Sequence, residues 1–566
     1  MTDMRRTLLW VVFIMSLVLL YDGWNKHQGH PTLFGAPIGE PPASAVAGAS
    51  APGTSAPSAA GVPAAAGIGS VATPAAAAPS APGEQVTIQT DVMKATLDTL
   101  GASVTHLELT AYKDAMDPTH PVVLFDQSAT RHYQAQTGFI NPAPGSALLP
   151  RHLSPFTVQP GDRALKDGAN ELVVRFESPE IGGAKLVKTY TFRRGDYTIG
   201  VKHELTNVSG APITPQIYLQ LLRDGNPPEG QSTSMFSSTG FTYTGPAIYT
   251  DAKKFQKVEF KDIDKRAANA APEHEKTASD GWVAMIQHYF TSAWLLPAGT
   301  PRDFVTAKVG SDYTVAMVQP LGTLAPGATV THQATLYAGP QDEKKLAVLE
   351  PGLELVKDYG RLTIIAKPLF WLLDQLHSLL HNWGWAIIAL VVLLKIAFYW
   401  LNAAAYRSQA KMKAVNPRIM EMRERLKDKP QEMQQEMMRI YREEKINPLG
   451  GCLPIVVQMP FFISLYWVLL ASVEMRGAPW LGWITDLSAK DPLFILPALM
   501  TASSMLQVWL GPKAPDPVQA KMMWLMPLMF SFMFFFFPSG LVLYWLVNNL
   551  LSIAQQWFIN KRLGVA

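Results

Sequence analysis

Lys395 stands in Val391-Val-Leu-Leu-Lys-Ile-Ala-Phe398, a single ammonium with hydrocarbon side chains before and after it. A cation inside an apolar run is costly unless a headgroup, water or a polar partner reaches it. The apolar runs that follow carry amides and hydroxyls: Gln458, Gln507, Asn548, Asn549, Ser552, Gln555 and Gln556. Such groups attract negative charge, hold water and exchange hydrogen bonds. Two arrangements satisfy them. Lys395 snorkels to headgroups while the amides sit at helix ends near the interface, or the side chains converge on a water-accessible cavity within a bundle.

Other reactive types are sparse. Cys452 is the only cysteine, so no intramolecular disulfide forms; with no His or basic partner beside it, it reads as a small apolar packing residue. His203 with Glu204 and His288 with Tyr289 are the pairs a carbohydrate-active enzyme would use, but neighbours along a strand point to opposite faces, which weakens each pair. No Gly-rich nucleotide loop, cofactor motif or metal motif is evident. Any work done must draw on partitioning, the membrane potential or partner machinery.

The elements that position these residues fill the last third of the 566-residue chain. Apolar runs at 383–402, 453–472, 493–510, 522–537 and 540–558 are each near the roughly 20 residues of a membrane span. Arg5 and Arg6 precede another run, Leu8 to Leu20, which lacks a small-x-small cleavage site after it and reads as an uncleaved anchor within 1–22. Residues Ala403 to Asn447 carry eleven Lys and Arg, whereas Val473 to Pro492 carry only Arg476 and Lys490. The positive-inside rule therefore puts the first loop in the cytoplasm and the second outside, with both termini cytoplasmic. On that orientation the polar residues all fall in the cytoplasmic half of the bilayer. Lys395 joins them, about 8 Å from Trp400 at ~1.5 Å per residue. The outer half, with Phe534 to Phe537, has few polar groups. A cavity open inward and sealed outward is a poor channel, and it suits a polypeptide that enters from inside and leaves sideways into lipid. A transporter predicts an inverted repeat and midplane polar groups on discontinuous helices, neither of which is visible.

The preceding residues differ in kind. Apolar residues make up 48% and charged residues 16% of the chain, and a net charge of +3 over this length does not suggest a nucleic-acid binder, so no DNA partner is expected. Residues 23–83 include an uncharged Ala/Pro/Gly/Ser tract from 41 onward that reads as a tether. From 84 to 345 the pattern has period two, as in Glu171-Leu-Val-Val-Arg-Phe, Lys185-Leu-Val-Lys-Thr-Tyr-Thr-Phe192, Trp282-Val-Ala-Met-Ile-Gln-His-Tyr-Phe and Tyr313-Thr-Val-Ala-Met-Val, with Arg193-Arg-Gly-Asp196 as a hairpin turn. This predicts a large β-sandwich outside the cytoplasm. Within 346–382, Leu362 to Leu380 carry an apolar stripe that predicts an amphipathic helix on the outer membrane face or against the sandwich, kinked or divided at Pro368. Residues 403–447 predict a helical hairpin rich in Met412, Met420, Met422, Met433, Met437 and Met438, either packed inside the hairpin or offered to apolar partners. Its basic excess suits anionic lipid or ribosomal RNA.

Asn447-Pro-Leu-Gly-Gly-Cys-Leu-Pro454, Gln458-Met-Pro-Phe-Phe-Ile-Ser-Leu-Tyr466, Ser472-Val-Glu-Met-Arg476, Asp486-Leu-Ser, Asp491-Pro and Phe537-Pro-Ser-Gly-Leu-Val-Leu-Tyr544-Trp545 together closely resemble the YidC-type membrane protein insertases, from about Lys395 to the C-terminus. The order of anchor, tether and β-rich domain is similar to the Gram-negative form. The resemblance implies a helical bundle of six transmembrane helices, five of them in an insertase core at 383–566, plus a periplasmic all-β supersandwich similar to sugar-binding folds but without catalysis. It implies an inner-leaflet hydrophilic groove that receives nascent hydrophobic segments, here Lys395, Gln458, Gln507, Tyr544, Trp545, Asn548, Asn549 and Ser552, and a cytoplasmic hairpin needed for activity. Nascent membrane proteins, lipids, Sec translocon components and the ribosome are the implied partners, at the bacterial inner membrane. Family members often carry arginine where this chain has Lys395; the charge is kept and the planar fork lost, which favours diffuse electrostatics over bidentate recognition.

Overall fold

The computed structural model describes residues 83–114, 117–128, 130–142, 146–227, 242–267, 270–426, 429–444, 453–511 and 517–562. The expected anchor and nearly all of the tether lie outside them, as do Cys452 and most of the Asn447–Pro454 motif. The chain forms two compact units, one ending at Lys357 and one running from Asp358.

The first unit is built of two nine-stranded antiparallel sheets. One has the order Gln85–Gln89 (β1), Met93–Asp98 (β2), Ser103–Lys113 (β3), Pro121–Gln127 (β4), His132–Ile140 (β5), Gln216–Asp224 (β10), Asp312–Pro320 (β17), Arg302–Val309 (β16) and Thr277–Ala278 (β13). The other runs Lys254–Lys257 (β12), Gly245–Thr250 (β11), Trp282–Gln287 (β14), Phe290–Leu295 (β15), Thr329–Pro340 (β18), Thr198–Asn207 (β9), Ala184–Arg193 (β8), Glu171–Glu177 (β7) and Thr157–Val158 (β6). Alternation sets the faces: in β7, Leu172, Val174 and Phe176 are buried between exposed Glu171, Val173 and Arg175. Polar contacts tie the two layers together. Tyr133 Oη lies 2.6 Å from Ser292 Oγ, and Trp294 Nε1 donates to the Gln220 carbonyl at 3.0 Å.

Residues 282–290, expected as one strand, are two. β14 and β15 meet at His288-Tyr289, where Tyr289 adopts φ 67°. A two-residue hairpin needs positive φ, and because Tyr rarely supplies it the pattern hid the turn. The expected turn at Arg193–Asp196 joins β8 to β9 through Gly195 at φ 69°. His203 is fully buried, whereas Glu204 pairs outward with Lys202 at 2.9 Å. His288 and Tyr289 stack at 3.6 Å within the turn. Phe260–Lys265 (α1) and Glu343–Leu349 (α2) complete this unit.

The second unit is helical: Thr363–Leu380 (α3), Trp383–Ala397 (α4), Tyr399–Arg425 (α5), Pro430–Glu443 (α6), Leu453–Ala471 (α7), Ile495–Leu510 (α8), Pro517–Phe534 (α9) and Ser539–Arg562 (α10). Segment 346–382 is thus divided, its first part closing the β unit and α3 packing on α4 and α7. The helix α3 is not divided at Pro368. That residue falls in the second turn, where its ring removes one i→i−4 bond from a helix anchored on both sides by buried Ala366, Leu369, Phe370 and Leu373. The run 383–402 is not one straight helix: α4 ends at Ala397 and α5 departs at 68°. Among the described residues no single helix is long and apolar enough to cross a membrane, and the bent α4–α5 pair meets that condition jointly.

The core gathers Leu390, Val391, Leu465, Val468, Leu541, Val542 and Tyr544, while Trp400, Trp509, Met529 and Phe532 face outward. Beyond the bend, α5 runs unbroken into the hairpin, so the end of the expected span and the first hairpin arm are one helix. Ile419, Met422 and Ile440 form the hairpin's own core with Met433 and Met437 against it; Met420 and Met438 face out. Arg418 pairs with Glu443 and Glu444 across the two arms, at 3.2 Å each.

Candidate functional site

The bend at Phe398 brings two polar side chains to one place. Lys395 lies in the last turn of α4 and Asn402 in the first turn of α5. The two helices meet at 68°, and both side chains line the concavity at their junction. Phe398 holds the corner with its ring edge on Phe461 of α7, centroids 5.1 Å apart. The concavity has a volume of about 330 Å³, including its open mouth. Its walls are Val391, Leu394, Lys395, Phe398, Asn402, Gln458, Phe461, Phe462, Tyr544 and Asn548.

Lys395 is half-buried, and its Nζ donates to Ser552 Oγ of α10 at 2.6 Å. Ser552 in turn donates to the Asn548 carbonyl one turn earlier, at 2.7 Å. The ammonium is therefore held against a neighbouring helix. Across the cavity Gln458 Nε2 donates to Asn402 Oδ1 at 2.7 Å, linking α7 to α5. Tyr544 is buried, its ring 6.1 Å from Phe462. Helices α4, α7 and α10 thus each contribute polar and apolar or aromatic side chains to the lining, an arrangement that can receive an acceptor or anion beside hydrocarbon.

The remaining expected residues lie elsewhere. Asn549 turns to α8 and donates to Ser503 Oγ at 2.8 Å. Trp545 packs edge-on against Phe534 and Phe537, with centroids 4.8 and 5.7 Å away. Gln507, partly exposed on α8, is not among the lining residues. Gln555 Nε2 donates to the Tyr399 carbonyl at 3.3 Å, behind the bend. Sequence reading had missed Asn402, Phe398, Phe461 and Phe462. An amide at the end of the apolar run that holds Lys395 was the available signal. Among the described residues no group of three or more His, Cys, Asp and Glu side chains is disposed to hold a metal.

The family model described as the YidC periplasmic domain matches residues 85–372, and that described as the 60Kd inner membrane protein matches residues 375–565. A membrane protein insertase YidC from Cupriavidus necator is 54% identical over 563 residues, spanning 99% of this chain and 98% of its own. Its counterpart from Cupriavidus taiwanensis is 53% identical over 572 residues, with the same coverage of 99% and 98%. A crystal structure of an active YidC insertase with its first transmembrane domain resolved covers 83% of this chain and 91% of its own, at 18% identity and a TM-score of 0.37.

Proposed function

The chain belongs to the YidC family of membrane protein insertases, and from that premise we propose that it receives the hydrophobic segments of nascent proteins at the cavity around Lys395 and releases them sideways into lipid. Its task is insertion at the inner membrane, with a periplasmic domain, and involves no covalent chemistry. The observation that carries the cavity assignment is the Lys395–Ser552 bond of 2.6 Å. An ammonium bonded to a partner helix beside a cavity is held for use inside the bundle, whereas a snorkelling one would extend toward headgroups.

In this reading Lys395, with Gln458, Asn548 and Ser552 around it, lowers the cost of bringing a polar or acidic segment partway into the bilayer. Buried charge is worth several kcal/mol against insertion when uncompensated, so partial crossing is where help matters. The apolar segment that follows then partitions into lipid, which supplies the driving force. Tyr544, Phe461 and Phe462 offer it aromatic rings among the polar groups. Gln507, Trp545 and Asn549 support the helices around the groove. Residues 1–22 anchor the chain, 23–83 tether the β domain of 84–345 in the periplasm, and 383–566 form the core, with both termini and the hairpin at 403–447 in the cytoplasm. The basic hairpin suits a ribosome, and the exposed helix faces suit lipid or the Sec translocon.

The test is insertion into vesicles by purified full-length protein of a single-span substrate with an acidic N-terminal tail. Lys395→Ala should slow insertion about tenfold and Lys395→Glu more, by repulsion. Wild-type rates in both variants would remove the electrostatic role.

A further inference from the structure

A second cavity, of about 720 Å³ including its open mouth, lies wholly within the β unit, between the β8–β9 turn and α2. Tyr197, at the head of β9, and Tyr337, on β18, line it and are almost fully buried, at 5% and 1% exposure. From α2 come Lys344 and Lys345, then Val348 and Leu349 one turn later, so each lysine shares a helix face with an apolar side chain. Val348 is 88% exposed, an unusual place for bare hydrocarbon in a unit that otherwise buries it.

The acceptors around this cavity are already committed. Asp196 accepts from Thr198 N and Oγ1 at 3.0 and 2.6 Å, and Asp342, which caps α2, accepts from the Lys344 and Lys345 amides at 3.1 and 3.3 Å. Tyr337 Oη donates to the Pro340 carbonyl. Two donors are uncommitted. Tyr197 Oη has no hydrogen-bond partner among the described residues, and it is not one of the closed-off polar atoms, so a ligand can reach it. Lys345 Nζ pairs with no carboxylate among the described residues and stands 5.7 Å from the centre of the Tyr197 ring. A phenol and an ammonium from two separate elements thus flank one opening.

We propose that this cavity binds a phosphate ester with a hydrocarbon stem, its oxygens accepting from Tyr197 Oη and Lys345 Nζ and its stem lying along Val348 and Leu349. Free donors without free acceptors select an acceptor-rich ligand, and lysine binds phosphate as a point charge. A tetrahedral oxyanion accepts from many directions, as donors on different elements require. The cavity has far more room than a bare ion fills, and covering the exposed Val348 with a stem adds apolar burial to the ionic contact. The ester can be a lipid headgroup or a free alkyl phosphate, since both present the same chemistry.

The experiment is a phosphorus NMR titration of the full-length protein in phosphatidylcholine nanodiscs with hexyl phosphate. Tyr197→Phe, which keeps the ring and removes the hydroxyl, and Lys345→Gln should each weaken binding about tenfold, as the loss of one hydrogen bond to a charged group does. Val348→Glu, at a position too exposed to disturb the fold, should weaken it comparably by repulsion. Inorganic phosphate, which lacks the stem, should bind about tenfold more weakly than the ester. No binding by the wild type, affinity unchanged in Tyr197→Phe and Lys345→Gln, or equal affinity for ester and inorganic phosphate would overturn the proposal. Loss of binding in Lys395→Gln alone would put the ligand in the helical unit and overturn it as well. Repeating the titration in phosphatidylglycerol nanodiscs identifies the source: weaker binding there means that a lipid headgroup already occupies the cavity, unchanged binding that a free ester is its ligand, and either result supports the site.

Discussion

Ser552 is the side chain that keeps Lys395 within the bundle. Its Oγ accepts from the ammonium while its own O–H donates to the Asn548 carbonyl, so the hydrogen bonding of Lys395 continues into the backbone of α10. A hydrogen bond to a charged group contributes roughly 1.5–3 kcal/mol, enough to decide between an inward and a snorkelling rotamer. Ser552→Ala is therefore expected to slow insertion of an acid-tailed substrate, by less than Lys395→Ala does, since the charge remains but its position is lost. A rate equal to wild type would show that Lys395 needs no anchor. Lys395 and Ser552 were both legible as candidates, because an ammonium and a hydroxyl in apolar runs stand out. Their pairing was not, since 157 positions separate them and only the rotation of α4 against α10 makes them neighbours.

At the scale of elements, two devices stand out. One is the corner at Phe398, which turns a continuous apolar run into two helices and directs Lys395 and Asn402 to one cavity. The other is a row across three strands of the β unit, where Lys188 on β8 lies opposite His203 on β9, and His203 opposite His332 on β18. The row points into the sandwich. Lys188 Nζ donates to the carbonyls of Gly101 and Thr137 at 2.7 and 2.8 Å, His203 Nε2 lies 2.9 Å from Thr137 Oγ1, and His332 Nε2 lies 3.0 Å from Gln319 Oε1. Burial pushes the Lys188 amine down to about 7 and the His332 imidazole down to about 4, the latter helped by the charge of Arg302; burial likewise holds His203 well below its usual value.

The sign of the pH effect follows from these directions. Between about pH 4 and 6.5 the unfolded chain protonates His332 and the folded chain does not, so stability rises with pH across that window and is lost on acidification. The loss from His332 alone is on the order of 2 kcal/mol. Urea midpoints of the β unit, followed in the full-length protein, should fall from pH 7 to pH 4.5, and His332→Gln should flatten the dependence. A midpoint indifferent to pH in the wild type would sink the argument. Period-two alternation already put Leu186, Lys188 and Tyr190 on one face, so the inward lysine was there to be read in β8. The row was not, because it depends on the register of three strands drawn from residues 184 to 340.

For the molecule as a whole, the division at Lys357 and Asp358 separates two units whose cores form by different means. One closes two sheets around Trp282, Trp294 and Tyr133, and the other packs helices that leave Trp509, Met529 and Phe532 outward. Urea, which weakens apolar burial in water, reaches the first and acts poorly on helices shielded by detergent. The full-length protein in detergent should thus unfold in two steps. Near-ultraviolet signals from the buried Trp282 and Trp294 should be lost before the helical circular dichroism. Coincident transitions would mean that the units fold as one.

What the sequence determined by itself was whatever local pattern controls. Period-two alternation made the β unit, apolar runs made the helices of the second unit, and one ammonium among hydrocarbon marked the site. Tertiary structure alone decided which polar groups meet. Lys395 goes to Ser552 and Gln458 to Asn402, while Asn549 turns to Ser503 and Trp545 to Phe534. Sequence position gives a side chain its depth along a helix axis. Its direction around that axis is fixed by packing against other helices and by the corner at Phe398, so which residues of one depth line the cavity and which pack elsewhere was decided only when the helices came together.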